Sequence, residues 1–142
     1  MRKNSKVDKT ELLKRANQLG KNNLIEELGI EFVDIGDDFI KATMPVTPKV
    51  HQPMGLLHGG ATAALAESLG SCGSFLLMHE GGKGVVGIEI NANHLRSTEE
   101  GIVTAEGKLL HKGRRTHVWD IRVSNEEGKM LSICRLTNMI LD

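Results

Sequence analysis

The sequence predicts an α+β domain in which a curved antiparallel sheet of about six strands wraps around one long central helix. Three observations carry that expectation. An apolar helical stretch runs from Leu57 to about His79 with glycines at both ends, two strand-like runs precede it, and four more follow it between turn sequences. A chain of 142 residues buries one core without needing a second domain, so residues 1–142 read as a single unit, with residues 1–29 as a helical amino-terminal extension.

From Lys9 to Leu28, the residues Leu12, Leu13, Ala16, Leu19, Leu24 and Leu28 recur among charged residues at helical spacing, which predicts one or two short amphipathic helices with Gly20 and Gly29 as stops. Ile30 to Val33 and Phe39 to Met44 flank Asp34-Ile-Gly-Asp-Asp, a strand pair about a tight loop. Pro45 to Pro53 reads as irregular chain. In the central helix Leu65, Leu69, Cys72 and Leu76 form one stripe, while Gly60, Ala63, Glu67, Ser71 and Ser74 lie roughly opposite. Neither side has the composition of a solvated face. The chain's own sheet covers one of them, so the small-residue face is expected to meet a second subunit in a homodimer or homotetramer.

After Gly84 the strand-like runs are Val85 to Ser97, Ile102 to His111, Thr116 to Ser124 and Met130 to Leu141. In the first, Val86, Ile88, Ile90 and Ala92 alternate with Gly87, Glu89, Asn91 and Asn93, the period of a half-buried strand. Thr98-Glu-Glu-Gly, His111-Lys-Gly-Arg and Asn125-Glu-Glu-Gly separate the runs, which predicts an antiparallel meander.

Composition narrows the function classes. Charged residues are 25% of the chain and the signs cancel at 18 each, so no global field points to nucleic acid or to a membrane surface, and 3% aromatics argue against base stacking. No apolar run approaches membrane-spanning length, and Met1 to Asp8 lacks a signal-peptide pattern, so a cytosolic protein without a membrane partner is expected. Cys72 and Cys134 have no paired spacing and read as buried free thiols. Six histidines, at 51, 58, 79, 94, 111 and 117, form no helical metal pair, so no metal site is expected. Gly81-Gly82-Lys83-Gly84 lacks the remainder of a phosphate-binding loop, and no G-x-S-x-G elbow is present.

Glu67 breaks its surroundings: it is the one carboxylate in Ala63-Ala64-Leu65-Ala66-Glu67-Ser68-Leu69-Gly70-Ser71. Carboxylates are rarely buried without a partner or a task. Ser71, four residues on, shares its face and offers a hydroxyl beside it. Taken alone, an edge-exposed helix glutamate explains the same residue. Ahead of the helix, His58-Gly59-Gly60 would leave backbone N–H groups at the positive end of the helix dipole, where an oxyanion fits. Gln52 sits on a loop long enough to bring its amide back to that point, and His58 suits a supporting role. His94, Arg96, Lys112, Arg114 and Arg115 are expected at the ends of two adjacent strands, a cationic group suited to phosphates; a solvated strand end is the competing reading.

Three blocks in order, Gln52-Pro-x-Gly-Leu-Leu-His58-Gly59-Gly60, Ala-Glu67-Ser-x-Gly-Ser71 and Gly87-Ile-Glu-Ile-Asn-Ala-Asn-His94-Leu-Arg96-Ser97, resemble the PaaI-like hotdog-fold acyl-CoA thioesterases. Within that group the chain is most similar to the 1,4-dihydroxy-2-naphthoyl-CoA hydrolases of menaquinone synthesis and their sister proofreading thioesterase of enterobactin synthesis. The likeness covers Ile30 to the carboxyl end and leaves the amino-terminal helices unmatched. It implies hydrolysis of an aromatic acyl-CoA thioester, with Glu67 as nucleophile or general base and the Gly59 N–H polarising the thioester carbonyl. Gln52 and His58 assist in that scheme, and Ser71 orients the water. By the same matching Gly87, His94, Leu95, Arg96 and Ser97, and His111, Lys112, Gly113, Arg114, Arg115 and Thr116, contact the coenzyme A portion. Coenzyme A is then part of the substrate, and neither cofactor nor metal is needed. Two alternatives remain at this point: a hotdog enoyl-CoA hydratase, which would release no thiol, and a non-catalytic acyl-CoA-binding regulator, which would turn nothing over.

Overall fold

The computed structural model describes residues 8–78 and 84–142. Helix α1 (Lys9–Leu19) and the single turn α2 (Leu24–Glu27) open the chain, followed by strands β1 (Glu31–Ile35) and β2 (Phe39–Pro45) and a 3-10 turn at Pro48–Val50. The central helix α3 (Gly59–Leu77) comes next, then β3 (Val85–His94), β4 (Ile102–Lys112), β5 (Thr116–Ser124) and β6 (Met130–Ile140). Six strands form one antiparallel sheet in the order β1-β2-β4-β5-β6-β3, and α3 touches all of them from β2 to β6. The expected sheet curled around a helix is therefore present. The exit of α3 at His79 and the Gly81-Gly82 pair lie outside the described residues.

Strand order departs from the expected meander in one respect. β4, β5 and β6 are consecutive neighbours, but β3 lies beyond β6 at the far edge, because the other side of β4 pairs with β2 from Phe39↔Lys108 to Pro45↔Ile102. β1 also runs further than expected, taking Asp34 and Ile35 from the supposed loop into pairs with Lys41 and Ile40.

The leucine stripe of α3 is the core face: Leu65 and Leu69 are completely buried, and Leu76 nearly so. Trp119, 1% exposed, packs beneath the helix where small residues admit its ring; a Cβ on Gly73 would lie 2.8 Å from Trp119 Cζ2. Both cysteines are buried and unpaired. Burial pushes the Cys72 thiol up to about 12; for Cys134, burial first and the charge of Asp120 second push it up to about 11, so neither is a ready nucleophile. Ser74 was expected on the outward small-residue face, yet it is fully buried against the sheet, because His117, Trp119 and Asn138 all direct polar atoms at it.

The two sheet edges are finished differently. Along β1, Asn17 of α1 donates through Nδ2 to the Phe32 carbonyl (3.1 Å) and accepts the Phe32 N–H at Oδ1 (2.9 Å), imitating a neighbouring strand. Lys9 reaches Asp34 at 2.6 Å and holds that carboxyl below its usual range against the opposing effect of desolvation, with the Ile35 N–H adding to the lowering. Among the described residues β3 pairs with β6 on one side only, and its Val86 and Ile88 side chains are exposed. Such an edge is a template for another strand.

Candidate active site

Two places along β3 meet the central helix, one at its middle and one at its start. Glu67 lies against Gly87: a Cβ added there would collide with Glu67 Oε1, so glycine leaves the carboxylate its place and a larger residue would push it aside. Gly59 lies against His94, whose Nε2 would be 2.6 Å from a Cβ on Gly59. The His94 ring is held from its other side by Ser132, with Nδ1 to Oγ at 2.7 Å. His94 therefore buttresses the helix start.

At that start the backbone donors are shared out unequally. His58 is the N-cap; its Nδ1 accepts the Gly60 N–H at 2.8 Å, and its carbonyl accepts from Ala61 and Thr62. Among the described residues the Gly59 N–H has no acceptor. One donor at the positive end of a nineteen-residue helix is thus left open. Gln52 uses its side-chain carbonyl oxygen inside its own loop, accepting from the Met54 and Leu56 N–H groups, which fixes the amide with its NH₂ as the remaining donor. The loop is tied down by the Leu57 N–H to the Thr98 carbonyl and the His58 N–H to the Val50 carbonyl, both 2.8 Å.

Ser71 stands one turn after Glu67 and donates to Asn138 Oδ1 at 3.3 Å. Behind it Asn138, Ser74, His117 and Trp119 form a buried polar group tied together through Ser74 Oγ, which meets His117 Nδ1, Trp119 Nε1 and Asn138 Nδ2. Sequence reasoning missed Asn138, although its place in the buried phase of β6, between Leu136 and Ile140, was a signal.

The cationic residues do not form one group in a single chain. β3 and β4 are separated by β5 and β6, so the expected adjacency is wrong. His94 pairs with Ser132 near the start of β6, and Leu95, Arg96 and Ser97 follow it. The hairpin of His111, Lys112, Gly113, Arg114, Arg115 and Thr116 sits at the other end, where Thr116 pairs with Met139 and the Ile140 N–H donates to the Arg115 carbonyl at 2.8 Å. No three histidine, cysteine, aspartate or glutamate side chains among the described residues are grouped to hold a metal.

His117 is 2% exposed, and burial, with smaller contributions from Lys112 and His111, holds its pKa below the ordinary value. The unfolded chain takes up a proton near pH 6.5 while the folded chain resists it, so stability is expected to be level above that pH and to fall below it. Thermal unfolding between pH 8 and 5 checks this: the slope should be shallower in His117→Gln, which has no such proton to accept.

A six-stranded sheet around one helix, with a lone helical carboxylate and an open N–H at the helix start, defines a class. The chain belongs to the thioesterase superfamily, whose family model matches residues 54–132. It is 49% identical over 129 residues to 1,4-dihydroxy-2-naphthoyl-CoA hydrolase of Escherichia coli, covering 91% of this chain and 94% of that one. It is 43% identical over 129 residues to the proofreading thioesterase EntH of Cronobacter turicensis, covering 91% and 93%. Among solved structures, a thioesterase from Pseudomonas aeruginosa superposes with a TM-score of 0.87 at 47% identity, covering 91% of this chain and 93% of that one. The resemblance read from the three motif blocks is borne out, and the protein is a thioester hydrolase. No helix among the described residues is long and apolar enough to cross a membrane.

Proposed function

We propose that the protein hydrolyses an aromatic acyl-CoA thioester in a site shared by two copies of the chain, with Glu67 as nucleophile or general base and the Gly59 N–H as oxyanion donor. The observation that carries this reading is the open Gly59 N–H and its separation from Glu67. Eight residues of helix put the two about 12 Å apart in one chain, too far to grip the same carbonyl. Antiparallel pairing of two β3 strands along their free edges resolves that. Because Glu67 marks the Gly87 end of β3 and Gly59 the His94 end, a twofold pairing turns Glu67 of one chain toward Gly59 of the partner subunit.

The same pairing explains the divided cations. His94, Leu95, Arg96 and Ser97 of one chain approach the His111–Thr116 hairpin of the other, giving one surface for the phosphates of coenzyme A. The Gln52 NH₂ is a non-titrating second donor for the carbonyl. Coenzyme A enters as part of the substrate, and the scheme needs neither metal nor cofactor. The names of the relatives in Escherichia coli and Cronobacter turicensis support the thioester chemistry, and the former supports an aromatic acyl group.

The test is thiol release from aryl-, short-chain and long-chain acyl-CoAs, with the highest kcat/KM expected for aryl thioesters. Tight binding with no thiol would favour a binding module, and hydration without thiol a hydratase. A second expectation concerns Gly87. Alanine there must displace the Glu67 carboxylate, so Gly87→Ala should lower kcat by about tenfold or more while leaving thermal unfolding nearly unchanged, since the displaced atom ends a flexible side chain.

A further inference from the structure

We infer that Asn138 is a positioning residue for hydrolysis, fixing the hydroxyl proton of Ser71 so that Ser71 meets the attacking water as a hydrogen-bond acceptor. The assignment follows from counting donors. The Trp119 indole can only donate, and it does so to Ser74 Oγ at 2.8 Å. The Gly70 carbonyl can only accept, so the Asn138 atom 3.2 Å from it is the amide nitrogen, whose second hydrogen goes to Ser74 Oγ at 3.0 Å. Both lone pairs of Ser74 are then engaged, and its own hydrogen must go to His117 Nδ1 at 2.9 Å.

With its NH₂ committed to Gly70 and Ser74, Asn138 can present only Oδ1 to Ser71, 3.3 Å away. Ser71 must spend its hydrogen there. Toward the open side it has lone pairs alone, and Glu67, one turn earlier on the same face, is likewise an acceptor. A water between them donates one hydrogen to each and keeps a lone pair free for the acyl carbon. The water oxygen bonds to that carbon, and the C–S bond breaks with its electron pair leaving on sulfur. The water's proton passes through Glu67 to the thiolate. If Ser71 were free to donate instead, it would compete for the lone pair that must attack. Asn138 is completely buried behind Ser71 and acts through it.

This inference rests on the hydrolase reading above, with Glu67 as general base. The experiment is a mutant cycle: Asn138→Ala and, to fill the volume, Asn138→Leu, each in the unaltered chain, in Ser71→Ala and in Ser71→Thr. Folding is checked by circular dichroism and gel filtration, and kcat and KM are read from thiol release. Loss of Asn138 should lower kcat on the order of tenfold with KM within about twofold when Ser71 or Thr is present. In Ser71→Ala the same loss should cost less than about twofold. Equal losses in both backgrounds would overturn the inference while leaving the hydrolase reading intact. Absence of turnover in the unaltered protein on any acyl-CoA would overturn both.

Discussion

Glu67→Gln is expected to lower kcat for thiol release by roughly 10²- to 10⁴-fold, the range spanned by losing a positioned acid or base group. Glutamine keeps the shape and the contact with Gly87 but can neither attack a thioester nor take a proton from water. KM should move little, because the coenzyme A contacts expected of the His94–Ser97 segment and the His111–Thr116 hairpin lie on other elements. Folding should also persist: Glu67 is half-buried, and among the described residues its side chain makes no hydrogen bond or ion pair. Steady-state kinetics beside a thermal melt separates the two quantities. A glutamine variant with full turnover would remove Glu67 from the mechanism.

The largest effect on stability is expected from Trp119→Ala, at about 3–5 kcal/mol for removing a buried tryptophan. Two losses add here. The ring fills the space left by Gly70, Gly73 and Gly107, and no neighbouring side chain on those residues is long enough to collapse into the void. The indole N–H also satisfies Ser74, whose oxygen would lose a partner in the interior. In a domain of this size the melting temperature should fall by roughly 10–15 °C. Trp119→Phe, which keeps most of the volume, should recover more than half of that loss.

Features encoded by neighbouring residues were legible in the sequence. The apolar helix, its lone carboxylate, the His58-Gly59-Gly60 entrance and the turn-bounded strands all follow from local pattern. What pairing decides was not legible. Nothing in the Thr98-Glu-Glu-Gly turn says that the next strand joins β2 rather than β3, and that choice splits the cationic residues between opposite ends of the sheet. Ser74 was placed on the wrong side of α3 for a similar reason. Its partners His117, Trp119 and Asn138 are 43 to 64 residues away, and helical spacing alone gives a serine no reason to face them. The amino-terminal helices matched no motif, yet Asn17 shows their purpose: they close one edge of the sheet and leave the other free.

The chain has one tryptophan and no tyrosine. Its near-ultraviolet emission therefore comes almost wholly from an indole wedged between the central helix and the sheet, with its N–H tied to Ser74. Separation of helix from sheet would wet that ring and shift its emission to the red, so the molecule carries a built-in optical gauge of the packing that holds the carboxylate-bearing helix on its sheet.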